Sequence, residues 1–480
     1  MCKRPDIMIK HRMRCFILSS FTLLLFAGCR LPQERNNKPV SFYRVRQLTF
    51  DQQNHYLSPY GAFSPDNQWL VYDTRTSESA MGSNSSIQKV HIESGSIRTI
   101  YQTSNQNQYG PGCGTPTYHP QQNKIIFIHG INNADEAHRY DFHRRTCVMV
   151  DESQPGKSFY LDARDVTFPF TPGALRGGTH AHQFSGDGRW IGFTYNDALM
   201  VDLEKQTGLP VNLRTVGVMT GPCPVNVDQD AEGENNDGLW FSVLAARTVP
   251  FPAPGSDEIS RAFDNAWVGK NGYLKSDGSR QKAQAYFGKL KTKKGLDLTE
   301  VFISDIPDKI DIPSPMGPLE GTHDDFPMPP KGIVQKRLTF TENRKYPGVA
   351  TEPRHWLLSS SDGKYIAYLA KDDRGIVQIF VVSPLGLQPV QITHNNTSVQ
   401  GPFAWKPDSH ILCYICANKL CLGGLINGKV MKSYSITESF ETVPIYPCWS
   451  NDGAFIAFNR DLHEKDASYR QIFIIDRKTK

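Results

Sequence analysis

The stretch SSSDGKYIAYLA, residues 359–370, joins a tight polar turn to a short strand, and the chain repeats this unit. Clear copies are FSPDNQWLVYD (63–73), FSGDGRWIGFTY (184–195), WKPDSHILCYI (405–415) and WSNDGAFIAFN (449–459). Degraded copies read YHPQQNKIIFIHG (118–130) and NDGLWFSVLAA (236–246). Proline presets φ at the first corner of such a turn, Asp or Asn bonds its own backbone, and glycine accepts the positive φ at the exit. The residues that follow are rich in Ile, Val, Tyr, Phe and Trp, as half-buried strands require. Seven such units predict an all-β fold, a single β-propeller.

A second strand follows many of the units, as in IQKVHI (87–92), VQIFVV (377–382) and RQIFII (470–475). A further one follows that, as in RQLTF (46–50), KRLTF (336–340) and VQITH (390–394). One repeat is thus an inner strand, the turn, a middle strand, a third strand and an outer strand, which is one four-stranded blade. The last unit stops at IFIID (472–476), while FYRVRQLTF (42–50) supplies a spare outer strand before the first. Pairing the two would close the ring and remove its exposed edges. The expected count is seven blades, with six as the alternative because the fourth unit is irregular.

Composition narrows the partners. The chain has 480 residues, with Lys+Arg 53 against Asp+Glu 48, so no clustered basic face of the nucleic-acid-binding kind is expected. The one tight basic run, KLKTKKG (289–295), reads as a solvated hairpin tip. Lys3, Arg4, Lys10, Arg12 and Arg14 precede the apolar CFILSSFTLLLFAG (15–28) and then Cys29. That run is short for a membrane span and is flanked like a signal peptide. FAGC resembles the bacterial lipoprotein cleavage box, with Phe26 where an aliphatic residue is usual. Cys29 is then the expected lipidation site, residues 30–41 a tether, and 42–480 the propeller. The expected setting is the cell envelope, on an outer-membrane lipid anchor, as a monomer. A soluble periplasmic form or an uncleaved anchor is the alternative, and Met13 would also make a sound start.

Seven cysteines follow Cys29, an odd count that leaves at least one thiol free. CYICANKLC (413–421) has only three local ligands where structural zinc needs four. Its simpler reading is a hairpin turning at Asn418-Lys419, with Cys416 and Cys421 facing each other, bonded or packed.

In a propeller, the loops entering the inner strands gather on one face around the channel. RGGTHAHQF (176–184) enters the third unit there, and residues two apart on a strand share a side, so His180 and His182 aim together. PRHW (353–356) stands at the equivalent place in the fifth unit and offers Arg354 and His355. Three converging histidines would suit a divalent metal (Mn, Fe, Ni or Zn); the alternative is histidines bonded only to carbonyls and water. The insertion at 248–297 contains Ile259, Ala262, Phe263, Ala266 and Trp267 at helical spacing after Ser256. It is expected to form a lid helix from which Arg247, Glu258 and Arg261 look into the mouth. DQDAEGENND (228–237) resembles a calcium loop but has Leu239 at the twelfth position, so a solvated acidic loop is the simpler reading. EAHRYDFHRRT (136–146) places His138 and His143 in a loop able to reach the mouth, and THDDF (322–326) reads as exposed. No G-x-S-x-G elbow, P-loop or H-E-x-x-H is present.

The turn-strand units resemble the repeats of TolB-type propellers. Across 46–476 the chain is similar to the YidR-like family of β-propellers. The stretches carrying this are RQLTF (46–50), NQWLVYD (67–73), FIHG (127–130), YDFHRR (140–145), RGGTHAH (176–182), FTYND (193–197), PGSDEI (254–259), NAWVG (265–269), KRLTFT (336–341), PRHW (353–356) and DDRGIVQ (372–378). The resemblance implies the fold and brings no activity with it; the Cys29 leader departs from it. A looser similarity, to oligogalacturonate lyases, implies a channel metal held by histidines. His180, His182 and His355 would be its ligands, with Arg354 or Arg176 as catalytic groups at the substrate carboxylate. Three expectations follow: a propeller binding a small acidic or carbohydrate-like ligand, with or without metal-assisted elimination; a TolB-like scaffold engaging an envelope protein without catalysis; or a purely structural lipoprotein.

Overall fold

The computed structural model describes residues 43–464 and 467–477, so the Cys29 leader lies outside the described residues. Seven antiparallel sheets follow one another along the chain. Blade three shows the plan: inner strand Gly177–Phe184, middle Trp190–Asp197, third Arg214–Thr220 and outer Phe241–Leu244. The seventh blade takes its outer strand from the start of the chain. Tyr43–Gln47 pairs antiparallel with the last strand, Tyr43 opposite Arg477 and Gln47 opposite Phe473. Ring closure and the count of seven therefore follow the sequence reading.

The repeated turn has a chemical reason. The Ser360 hydroxyl donates to Asp362 Oδ1 at 2.8 Å and accepts the Tyr365 N–H at 3.1 Å. Ser64, Ser185 and Ser450 do the same with Asp66 and Trp69, Asp187 and Trp190, and Asp452 and Phe455. The serine thus ties the turn's acid to the first residue of the emerging strand. Burial pushes the Asp362 carboxyl up, but the Ser360 hydroxyl, the Lys364 N–H and His410 outweigh it and hold the group at about 2. The Leu/Ile-Thr ending of the outer strands is explained too. Thr49, Thr339 and Thr393 accept the N–H of Ile472, Val301 and Ile379 through their hydroxyls at 2.9, 2.9 and 2.8 Å. Each supplies a ladder rung where the outer strand runs out.

The core lies between blades. Leu48, Leu57, Leu70 and Tyr72 pack against Ala457, Ile472 and Ile474 across the closing junction. Cys413, Leu420 and Leu422 pack against Ile456, Phe458 and Phe473 across the one before it.

Several local expectations are corrected. NDGLWFSVLAA is no turn-strand copy: its strand is the outer strand of blade three, Phe241–Leu244. The expected lid helix is instead the inner strand of blade four, Arg261–Trp267, and the rest of 248–297 contains the hairpin Tyr273–Leu274/Arg280–Gln281 and the middle strand Ala283–Lys291. The register shifts between Phe263 and Ala266, and Asp264 has φ 51°. That bulge breaks the two-residue period, so the buried residues fall three and four apart and imitate a helix. The one α-helix among the described residues, Ala198–Thr207, follows the middle strand of blade three; Asp197 caps it by accepting the Met200 N–H at 3.1 Å. The hairpin of CYICANKLC turns at Ala417 and Asn418, both at positive φ, so Cys416 faces Lys419 and Cys421 faces Tyr414. All seven described cysteines are free thiols. KLKTKKG is a hairpin tip, with Lys289 and Lys291 both paired to Asp297.

Two outcomes test this account. Ser360→Ala should cost about 1 kcal/mol in urea unfolding, because the half-buried Tyr365 N–H and Asp362 carboxylate both lose the buried Ser360 hydroxyl, while Ser276→Ala on an exposed turn should cost nothing measurable. Removing residues 1–50 should lower the melting temperature and promote association through the open edge of blade seven, whereas removing 1–40 should do neither.

Candidate functional site

The inner strands build the site through a shared irregularity. Tyr60, Ala181, Trp356 and Tyr446 each stand four residues before a turn serine, Ser64, Ser185, Ser360 and Ser450. Thr115 and Asp264 hold the corresponding places in blades two and four. All six line a cavity of about 400 Å³ where the inner strands converge. Thr115, Ala181, Asp264 and Tyr446 have φ of 50, 55, 51 and 52°, each within a register shift of its strand. A non-glycine residue there costs about 1–3 kcal/mol, and such outliers gather at functional sites. Here the bulges turn one residue per strand toward the axis.

The long loop of blade two brings Tyr140, Asp141 and Phe142 to the cavity, and Arg145 follows at the start of the third strand. The Arg145 guanidinium lies 4.2 Å from the Phe142 ring centroid and 4.8 Å from that of Tyr140. Arg145 is 8% exposed, and its Nε has no hydrogen-bond partner. Arg214, from blade three, lies 4.7 Å from the same Phe142 ring and donates to Asn196 Oδ1 at 3.0 Å. Burial and then the neighbouring Arg261 and Arg145 push Arg214 down to about 10, which still leaves it charged at neutral pH. Among the described residues neither Arg145 nor Arg214 forms a salt bridge. Other charges in the cavity are balanced. Arg75 lies near Asp73 and Glu78, and Glu78 also accepts from Tyr446 and Arg470. Arg354, largely exposed, approaches Asp264 at 3.7 Å and lies over Trp356. Burial raises the Asp264 carboxyl, against the pull of Arg354, Arg214 and Arg261.

Two of the three histidines meet as expected. His180 and His182 both line the cavity, and neither nitrogen of His180 has a protein partner. Burial, then Arg214 and Arg145, holds His180 well below its ordinary range, so it is neutral. His182 is held at about 3 by burial and then Arg145. Its Nε2 contacts the Thr179 hydroxyl at 2.9 Å, and that hydroxyl donates to Asp162. His182 therefore carries its proton on Nε2 and leaves Nδ1 free.

His355 does not join them. Its Nε2 accepts the Leu369 N–H at 3.0 Å and its Nδ1 faces the Pro353 carbonyl at 3.2 Å, with its ring against Phe287. Both nitrogens are committed to the backbone of blade five, so the ring has no lone pair for a metal. Among the described residues no three His, Cys, Asp or Glu side chains gather as a metal site, and the three-histidine centre does not fit. The same holds for the acidic loop at 228–237: Asp230 accepts its own loop's N–H groups, and Glu234 is tied to Arg144 and Arg164.

Arg176 is structural as well. Fully buried, it donates to Asp197 at 2.8 and 3.0 Å and to the carbonyls of Thr322 and Asp325, which anchors the otherwise exposed THDDF loop. Arg247 and Glu258 line a separate groove with Ile259 and Arg337. Arg261 lines a side cleft that shares Asp141, Phe142 and Arg214 with the central cavity. His143 also lines that cleft, while His138 pairs with Asp135. Sequence reasoning missed Arg145, Arg214, Asp264 and Tyr60. The offset of four residues before the turn serine would have found Tyr60, Trp356 and Tyr446, and by extension Asp264.

Comparison with known proteins adds the lineage. Residues 112–234 match the family described as "Protein of unknown function (DUF3748)", a span that includes Arg145, His180, His182 and Arg214. A solved oligogalacturonate lyase in complex with manganese superposes with a TM-score of 0.50 at 11% identity, covering 90% of this chain and 93% of that one, which is a likeness of fold. A TolB-type protein from Agrobacterium tumefaciens gives a TM-score of 0.37 at 13% identity, covering 82% of this chain and 99% of that one. The Escherichia coli (strain K12) protein YidR is 40% identical over 419 residues, which cover 86% of this chain and 94% of YidR. With that identity along nearly the whole propeller, the chain belongs to the YidR family of seven-bladed β-propellers.

Proposed function

We propose that the central cavity binds a small carboxylated, sugar-like ligand, and that the protein does so in the cell envelope, where the Cys29 leader would tether it. One observation carries the ligand class. Arg145 and Arg214 both lie against the Phe142 ring at the cavity, charged and without a salt bridge among the described residues, with Asp141 and Asp264 acting on them only from beyond salt-bridge distance. A desolvated guanidinium is costly unless it is paired, and a carboxylate offers the matching bidentate acceptor. The free nitrogens of His180 and His182 and the Trp356 Nε1 add polar groups able to meet hydroxyls. Trp356, Tyr446 and Tyr60 supply the aromatic faces on which a sugar ring packs.

The elimination chemistry expected from the sequence loses its three-histidine metal. His180 is a neutral imidazole whose nitrogens have no protein partner, but burial and the neighbouring guanidiniums make it a weak base, so the site supports binding rather than proton abstraction. Binding itself needs no further group.

Four outcomes follow. Galacturonate should bind to the folded protein and galactose should not, by calorimetry. Arg214→Gln should weaken the acid by about tenfold or more, the loss of one charge-assisted hydrogen bond. Dialysis against EDTA should leave the affinity unchanged, because the donors are guanidiniums. His182 at about 3 and His180, held well below its ordinary range, stay neutral from pH 8 down to pH 5.5, so any change in affinity in that range belongs to Asp162, which burial holds up at about 6 and which bonds the Thr179 hydroxyl beside His182. An inflection near pH 6.5 that persists in an Asp162→Asn variant would contradict the burial assigned to these rings.

A further inference from the structure

The central cavity does not end at its own wall. A second cleft of about 390 Å³ opens beside it between blades two, three and four, and the two share Asp141, Phe142 and Arg214. Each is of the size that holds a small ligand, roughly 300–1,000 Å³. Phe142, 47% exposed, is the partition. Arg214 serves both spaces from its place over that ring.

The second cleft repeats the charge character of the first. Arg261 enters it from the inner strand of blade four and forms no salt bridge among the described residues. Lys289 is offset by Asp297 at 2.9 Å, and Asp141 is the one acid in the lining. Asn196, Asn212 and Ser260 add side chains able to bond hydroxyls, and Val201 and His143 complete the lining. A single carboxylated ring fills one space and leaves the cations of the other unmet.

We infer that the ligand is a linear oligomer with an acidic group on each unit, one unit in the central cavity and the next in the side cleft, with the linkage passing over Phe142. This rests on the proposed anionic, sugar-like ligand and extends it. Linked sites gain affinity because the second contact is made without a second association cost. Arg261 is the residue that specifies the second unit.

The test is calorimetry with galacturonate, digalacturonate and trigalacturonate on the purified chain from residue 30 and on Arg261→Ala. Arg261 is an exposed side chain, so its removal leaves the fold intact, which circular dichroism checks. The expected result is at least tenfold tighter binding of the dimer than the monomer, and no further gain for the trimer. Arg261→Ala should remove most of the dimer's advantage and shift the monomer's affinity far less, since Arg261 acts on the central cavity only through its neighbours Arg214 and Asp264. Equal affinity for monomer and dimer would overturn the two-unit ligand and leave the single-ring reading standing. So would an Arg261→Ala variant that weakens both alike. No binding of any of the three would overturn both.

Discussion

The site depends on a contact far from it, the pairing of Tyr43–Gln47 with the final strand. A ring of blades has a centre only when it is closed, and here closure joins residues more than 400 apart in sequence. The junction is held by strand pairing and by apolar side chains from blades seven and one together. Once it forms, the inner strands converge, and whatever they turn inward becomes a cavity lining. The strain of four left-handed residues is carried by this closed frame.

The cavity that results is unusual in its charge balance. Among the described residues most buried guanidiniums are paired: Arg176 with Asp197, Arg337 with Glu300, Arg144 and Arg164 with Glu234. These pairs show what the fold does with a guanidinium that has only a structural task. Arg145 and Arg214 depart from that pattern and do so where the inner strands meet. That departure, with Asp264 and Asp141 acting on them only from beyond salt-bridge distance, is what supports the proposed anionic ligand, and the neutral histidines beside them add hydrogen-bonding capacity without competing charge.

Much of the architecture was legible in the sequence because one interaction, the serine that bridges acid and strand, repeats nearly unchanged. The closing strand was legible because RQLTF and KRLTF are the same outer-strand ending in two places. Where the reading failed, the cause was the bulge. In blade four it gave the inner strand helical spacing and hid Asp264 inside a supposed lid. The site itself was half legible. His180 and His182 came from a two-residue spacing on an inner strand, while Arg354 came from the matching place in blade five. His355 stands beside Arg354 in sequence, yet it faces the backbone of its own blade, a difference of one position across an irregular strand. Arg145 and Arg214 begin the third strands of their blades, where no repeat marks them, so only the closed ring shows that they meet over Phe142.

The most direct measurement is a crystal structure of the protein soaked with galacturonate. The account predicts density for the sugar acid in the central cavity, its carboxylate within hydrogen-bond distance of both Arg145 and Arg214. A cavity in which those two guanidiniums turn to protein carboxylates, or a ligand bound elsewhere on the ring, would contradict it.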